Sequence, residues 1–352
     1  APGWLDPVIA ESWRKCANSG VNPANGMGRN VLERYQLREL QERNESIIHT
    51  AAPLMHNLYR FFQGSSFVVV LTDAQGYILE LFGDDERLRS AQKLNFLPGA
   101  KWRDDDVGTN AIGSVLAAGK PMQVSGAEHF CKRHHCWTCS AAPILNEEGK
   151  LAAVLDISGP AGSSYSHTLG MVVAAAEAIT MQLMMQRKNK ELTLANKRLT
   201  SIFNTMSEGV ILLDRTGVIH EANPVASRML EKSNDEMVGH PIDRILGSRT
   251  PHVQRMLSVS EPYSDVELMV TNKSGVSHCL TSGEPITDEQ GNPGGGVVIL
   301  RPINQVKSLV NRFSGHITAF RFNDIIGESQ PIREAIRVAM LTASGDSNVL
   351  LQ

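Results

Sequence analysis

The sequence predicts an α+β protein: two antiparallel sheet domains with flanking helices, joined by one long coiled-coil helix. Three observations carry this reading. Short apolar runs bounded by Gly, Asn or Asp turns come in two clusters of five, over residues 67–157 and 209–301. Between them, residues 167–206 contain no proline, and no glycine after Gly170, and place apolar residues at helical spacing. A hydrophobic share of 42% and a charged share of 20% supply real cores and exclude a disordered chain.

Residues 1–45 read as helical, with Trp4 (outside the residues described below), Val8, Ile9, Ser12 and Trp13 on one short face and Asn22 to Gly26 as a loop. A second helix near Leu32 to Asn44 is dense in charge and reads as a solvated face. The first sheet domain opens with a helix over Ile47 to Phe62. Strands follow at Phe67–Leu71, Tyr77–Leu81, Met122–Val124, Ser140–Leu145 and Leu151–Ile157, with turns at Asp73–Gly76 and Asn146–Gly149. Asp106 to Leu116 is a loop entering a helix, with Thr109 or Asn110 as its N-cap.

The long helix over 167–206 would measure about 60 Å at 1.5 Å per residue, more than one small domain can bury. Val172, Ala176, Ile179 and Leu183 form one seam, and Leu192, Ala195, Leu199, Ile202 and Met206 a second, out of phase with the first. The first seam suits a sheet and the second a partner helix, so Leu192, Leu199, Ile202 and Met206 are the candidate dimerisation residues. In the second sheet domain, strands are expected at Gly209–Asp214, Gly217–Asn223, Ser264–Thr271, Gly275–Pro285 and Gly294–Arg301. Helices are expected at Pro224–Leu230, Asp235–Met237 and Pro241–Leu246. Beyond it come a connector helix, an amphipathic helix near Ile332–Leu341 and the start of a strand.

The 352 residues suggest two to three domains, and the net charge of −3 gives no chain-wide reason to expect nucleic acid or an anionic membrane. Five cysteines make no disulfide scaffold, and no signal peptide is evident, so a reducing cytoplasm is expected. No run of 18 apolar residues exists, so no bilayer span is expected. The chain starts at Ala1 and stops inside the apolar run Asn348 to Gln352, and so reads as a piece of a longer protein.

Three stretches carry a family resemblance. Asp105-Asp-Val-Gly-Thr-Asn-Ala-Ile-Gly113, followed by His129 and Trp137-Thr-Cys-Ser-Ala-Ala-Pro143, resembles the GAF sensor domain of bacterial acetoin-catabolism regulators, as does the opening Pro7 to Trp13. Glu221-Ala-Asn-Pro-Val-Ala226 and Glu236-Met-Val-Gly239 are similar to a PAS domain. Phe322 to Ser329 looks like the beginning of the AAA+ ATPase domain of sigma-54-dependent transcription activators. The resemblance implies an N-terminal helical segment (1–45), a GAF domain (46–168), a signalling helix (169–206), a PAS domain (207–302), a linker helix (303–321) and a truncated ATPase start (322–352). It also implies a homodimer, and contact with sigma-54 RNA polymerase and enhancer DNA through regions outside this chain. No Gly-x-x-x-x-Gly-Lys loop occurs here, so this stretch should not hydrolyse ATP, whereas the full-length protein should.

Two sites compete within the first domain. Trp102, Phe130 and Trp137 can wall a small pocket, with Thr109, Asn110, His129, Ser140 and Cys139 at its polar side. The resemblance implies a small organic effector there, acetoin or a related ketone or alcohol. Alternatively, Cys131, Cys136, Cys139 and His129 have spacing that suits zinc or iron, or a redox switch through thiols whose pKa neighbouring Lys132, Arg133 and His134 would lower. They also read as ordinary thiols beside a strand. Asp104, Asp105 and Asp106 read as a solvated carboxylate run. No nucleophile–base pair stands out, so an enzyme on this fold, such as a phosphodiesterase, is the weakest reading.

Overall fold

The computed structural model describes residues 6–163, 166–247, 250–272, 275–288, 290–303, 325–327 and 329–343. The chain divides into two compact units, Ala1–Ala195 and Asn196–Gln352. Each holds one five-stranded antiparallel sheet.

In the first unit the order is α1 (Pro7–Asn18), α2 (Arg34–Arg43), α3 (Glu45–Phe62), β1 (Val68–Asp73), β2 (Ile78–Gly83), α4 (Asp85–Gln92), α5 (Asp104–Val107), α6 (Ala111–Ala118), β3 (Met122–Ser125), β4 (Trp137–Leu145) and β5 (Leu151–Pro160). The sheet runs β2-β1-β5-β4-β3. Its central strands are continuous apolar runs because both faces are covered. Side chains alternate across a strand, so Val68 and Val70 join Val107, Ile112 and Trp102 on one face. Val69 and Leu71 join Met55 of α3 on the other.

That second face also receives α7 (Ser166–Thr205). Val172, Ala176 and Ile179 pack on the sheet, fully or almost fully buried, and the two larger ones contribute about 1.5–3 kcal/mol each. The first seam therefore faces its own sheet. By length and composition alone α7 is apolar enough to cross a membrane, contrary to the expectation from uninterrupted runs, but this part of its apolar surface is spent on the sheet. Further along, Met181, Met185, Leu192, Leu199 and Ile202 stand more than half exposed, spaced four, seven, seven and three residues apart. Met206, the last expected member of the second seam, lies past the helix end and is half-buried.

The second unit contains β6 (Gly209–Leu213), β7 (Ile219–Ala222), α8 (Pro224–Leu230), α9 (Asn234–Met237), α10 (Ile242–Leu246), α11 (Pro251–Val259), β8 (Tyr263–Asn272), β9 (Gly275–Thr287), β10 (Pro293–Pro302) and α12 (Gln330–Ala343). Its sheet runs β7-β6-β10-β9-β8. Asn223, fully buried, ties four segments together. Its Oδ1 accepts from the Val210 N–H (3.0 Å) and the Ala226 N–H (2.8 Å), and its Nδ2 donates to the Phe203 carbonyl (3.1 Å) and the Glu208 carbonyl (2.8 Å). One side chain thus caps α8 and fastens the end of α7 to the sheet.

Helices α4 and α11 are absent from the sequence expectations. Helix α4 is charge-dense, and α11 begins at Pro251 after a short polar stretch that reads as loop. Apart from Ile303, the connector expected over 303–321 lies outside the described residues, as does the strand expected at 348–351.

Candidate functional site

The first unit contains a small cavity on the α6 side of its sheet. The space open to the centre of a water-sized sphere is about 20 Å³. Adding the sphere's own radius gives a void on the order of 100 Å³, room for a molecule of a few heavy atoms.

Aromatic rings form one side. Phe96 and Trp102 meet edge to face with centroids 4.3 Å apart, and Phe96 and Trp137 do so at 6.5 Å. The Arg87 guanidinium lies 4.6 Å from the centre of the Trp137 ring and helps to fix it.

Two histidines come from the loop between β3 and β4. His134 contacts the Gly26 carbonyl through Nε2 at 2.7 Å, and His129 contacts the Gly126 carbonyl through Nδ1 at 3.0 Å. A carbonyl only accepts, so each of those nitrogens carries the proton. The opposite nitrogens, His134 Nδ1 and His129 Nε2, are lone-pair acceptors, buried and without a partner among the described residues. Burial pushes the pKa of His129 down to about 3 and that of His134 down to about 4, so both rings are neutral at neutral pH. The two rings lie 5.9 Å apart, and His134 leans on Trp102 at 5.4 Å.

The floor is sheet. On β5, Val154, Asp156 and Ser158 share one face by alternation. Ser158 Oγ donates to Asp156 Oδ2 at 2.6 Å, and Asp156 Oδ1 has no partner. Burial raises the Asp156 pKa to about 7. Cys139 pairs with Ser158 across the ladder and also lines the cavity. Three polar atoms therefore stand unpartnered on residues of one cavity, each costing about 1–3 kcal/mol while it stays so.

The run around Gly108 plays a different part. Asp104 is buried, accepts from Ser12 Oγ at 2.5 Å, and has its pKa raised by burial to about 6. Thr109 Oγ1 is 2.6 Å from the same Ser12 hydroxyl, and Cys16 donates to the Asp104 carbonyl at 3.2 Å. This cluster fastens α1 to the domain. Asp106 accepts from Asn30 and lies 3.8 Å from Lys101. The expectation of a solvated carboxylate run therefore fails for Asp104 and Asp106, because α1 and the segment after it cover them.

Of the expected pocket residues, Trp102, Asn110, His129, Trp137 and Cys139 line the cavity. Asn110 spends its side chain as the N-cap of α6, accepting from the Gly113 N–H at 3.0 Å. Three others do not. Thr109 belongs to the α1 cluster. Phe130 packs edge to face on Trp13 at 6.3 Å. Ser140 is one residue from Cys139, so it points to the opposite face, where Gln123 Nε2 donates to it at 2.8 Å. His134, Asp156 and Ser158 were missed. The signal for Asp156 was a lone carboxyl inside the apolar run Leu151–Ile157.

The four expected metal ligands are not brought together. Cys131 is buried in a small cluster with Cys16 and Val21, Cys136 is exposed, and Cys139 lies in the cavity. Among the described residues no group of three His, Cys, Asp or Glu is placed to hold a metal ion. The expected depression of thiol pKa is reversed for two of these cysteines. Burial pushes Cys131 up to about 11 and raises Cys139 well above the usual thiol range.

In comparison with known proteins, residues 46–183 match the GAF domain family and residues 203–308 match the PAS fold family. The chain is 29% identical over 345 residues to the signal-transduction and transcriptional-control protein of Clostridium beijerinckii, covering 98% of this chain and 54% of that one. It is 38% identical over 189 residues to the acetoin dehydrogenase operon transcriptional activator AcoR of Bacillus subtilis, covering 54% of this chain and 31% of that one. The chain thus spans about half or less of these curated relatives. The crystal structure of the E. coli DhaR(N)–DhaL complex matches with a TM-score of 0.75 at 19% identity, covering 84% of this chain and all of that one, which shows a shared fold.

Proposed function

We infer the function from one premise: this chain is a GAF–PAS region homologous to acetoin-operon transcriptional activators and related operon regulators, and so a sensory regulatory region. In our reading the GAF cavity binds a small uncharged organic effector, acetoin or a related ketone or alcohol. Binding shifts α7, and α7 passes the change to the PAS domain and on to an ATPase in the longer protein. There the output is contact with sigma-54 RNA polymerase from enhancer DNA, in the cytoplasm. The single observation that carries the reading is the small cavity between the sheet and the Phe96, Trp102 and Trp137 rings of the first unit. A void of this size walled by aromatic rings selects a small, largely apolar ligand. The helix supplies the relay. Its first half is packed on the floor of the sensor domain, and the Phe203 carbonyl near its end is held by Asn223.

The exposed stripe on α7 supports a homodimer, with Leu192, Leu199 and Ile202 facing the partner helix and Met206 at its end. Two measurements test the reading together. A saturating effector should raise the melting temperature of the chain, because a ligand that binds only the native state stabilises it by about 2.7 kcal/mol at a hundredfold excess over Kd. A Leu192→Asp, Leu199→Asp double variant should sediment as a monomer and still show that thermal shift. A wild-type chain that sediments as a monomer contradicts the dimer. No shift with any small ketone or alcohol contradicts the sensor.

A further inference from the structure

The loop between β3 and β4 is held in place by the start of the chain. Among the described residues, and apart from bonds to the flanking Ser125 and Cys136, every hydrogen bond that leads out of residues 126–135 ends on the N-terminal segment. Trp13 Nε1 donates to the Glu128 carbonyl at 2.8 Å, and the Lys132 N–H donates to the Pro23 carbonyl at 2.8 Å. His134 Nε2 donates to the Gly26 carbonyl at 2.7 Å. Cys131 Sγ donates to the Asn22 carbonyl at 3.5 Å and packs with Cys16 and Val21. The contact is close: a Cβ added at Gly26 would stand 2.8 Å from His134 Nε2 and 2.9 Å from the Cys131 Cβ.

The N-terminal segment is itself fixed at one end only. Beyond Gly26 it is pinned by backbone bonds, from the Gly28 N–H to the Leu94 carbonyl, from the Lys101 N–H to the Asn30 carbonyl and from the Leu32 N–H to the Gly99 carbonyl, each 2.9 Å. Before Gly26 the hold is weaker. Helix α1 buries Ile9, Ala10, Ser12 and Cys16, of which only Ile9 is a large apolar side chain. Its other anchor is the cluster of Ser12, Thr109 and Asp104, whose hydrogen bonds water can replace. Few apolar contacts and a polar anchor mark an element that opens well below the cost of global unfolding. Gly20 and Gly26 both have left-handed backbone, at φ +69° and +70°, and Gly26 borders the pinned stretch, where a hinge belongs.

We propose that residues 6–26 are a strap that opens and closes as one unit with residues 126–135, hinged at Gly26 to Gly28. His129 and His134 line the cavity from that loop. Release of α1 therefore frees one wall of the cavity, while the sheet and the long helix stay folded. The bearing of this motion on sensing rests on the effector reading above; the motion itself does not.

The test is native-state hydrogen exchange of the whole chain in low urea, read by mass spectrometry over residues 7–18, 126–136 and 151–157. The first two stretches should exchange through a single opening, with one free energy and one urea slope, and at least about tenfold faster than residues 151–157 of β5. Ser12→Ala breaks the bond to Asp104 and makes no hydrogen bond to the loop, yet it should speed exchange of α1 and of the loop alike by about tenfold, the worth of one buried hydrogen bond. Trp13→Phe removes only the donor to Glu128, should act in the same direction on both stretches, and serves if Ser12→Ala fails to fold. A loop whose opening energy differs from that of α1, or whose exchange is unmoved by these variants, would overturn the proposal. So would exchange of both stretches only together with β5, because the strap would then be a fixed part of the core. No ligand enters the measurement, so either result leaves the effector reading to be decided by its own thermal-shift test.

Discussion

Replacing Gly113 by alanine is expected to destabilise the first unit by about 3 kcal/mol or more, read as a lowered urea midpoint with an unchanged slope. The sign is what makes the experiment sharp. Gly113 lies inside α6, where alanine ordinarily gains about 1 kcal/mol over glycine. Here an added Cβ would collide with the Asp104 carboxylate oxygen and stand 2.7 Å from the Asp104 backbone nitrogen. Neither can retreat. Asp104 is buried and bound by Ser12, and it carries the attachment of α1. A variant as stable as wild type, or more stable, would show that α6 and the Asp104 turn are not in this contact.

The second large effect depends on pH. The Asp156 pKa rises from its ordinary 3.8 to about 7 in the folded protein because the side chain is completely buried. The fold therefore favours the protonated form. Its contribution is fully present below pH 4 and is lost as pH rises through 7. Three pKa units at 1.36 kcal/mol each amount to a penalty of about 4 kcal/mol above pH 8. Asp156→Asn removes the titration while keeping a side chain that can still accept from Ser158. The variant should gain about 2–3 kcal/mol relative to wild type on going from pH 5 to pH 8, measured by chemical unfolding. His129 and His134 have the opposite dependence, losing stability as pH falls below 6.5, but they are common to both proteins and cancel in the comparison. A difference that does not change between pH 5 and pH 8 would mean that Asp156 is solvated or paired.

Both sheets, the long helix and its two seams were legible because each rests on local chemistry: apolar period, Gly and Asn turns, and a stretch without breakers. The N-cap of α6 was narrowed to Thr109 or Asn110 for the same reason, and it is Asn110. The site was legible only in part. Trp102, His129 and Trp137 stand out as residue types, but which side of a strand a residue faces depends on register. That is why Cys139 enters the cavity and its neighbour Ser140 does not. Asp104 was misread because its cover, Ser12 and Cys16, lies some ninety residues away in sequence. His134 was taken for a possible metal or redox neighbour because spacing alone cannot show that its proton is already given to Gly26.

The central claim is that His129 and His134 stand neutral among the lining residues of the sensor cavity, each with its one proton given to a backbone carbonyl. Nitrogen-15 NMR of the histidine rings tests it most directly. The free chain should show His129 protonated at Nδ1 and His134 at Nε2, unchanged from pH 6 to 8. Both rings titrating near pH 6.5, or either proton found on the opposite nitrogen, would contradict the account.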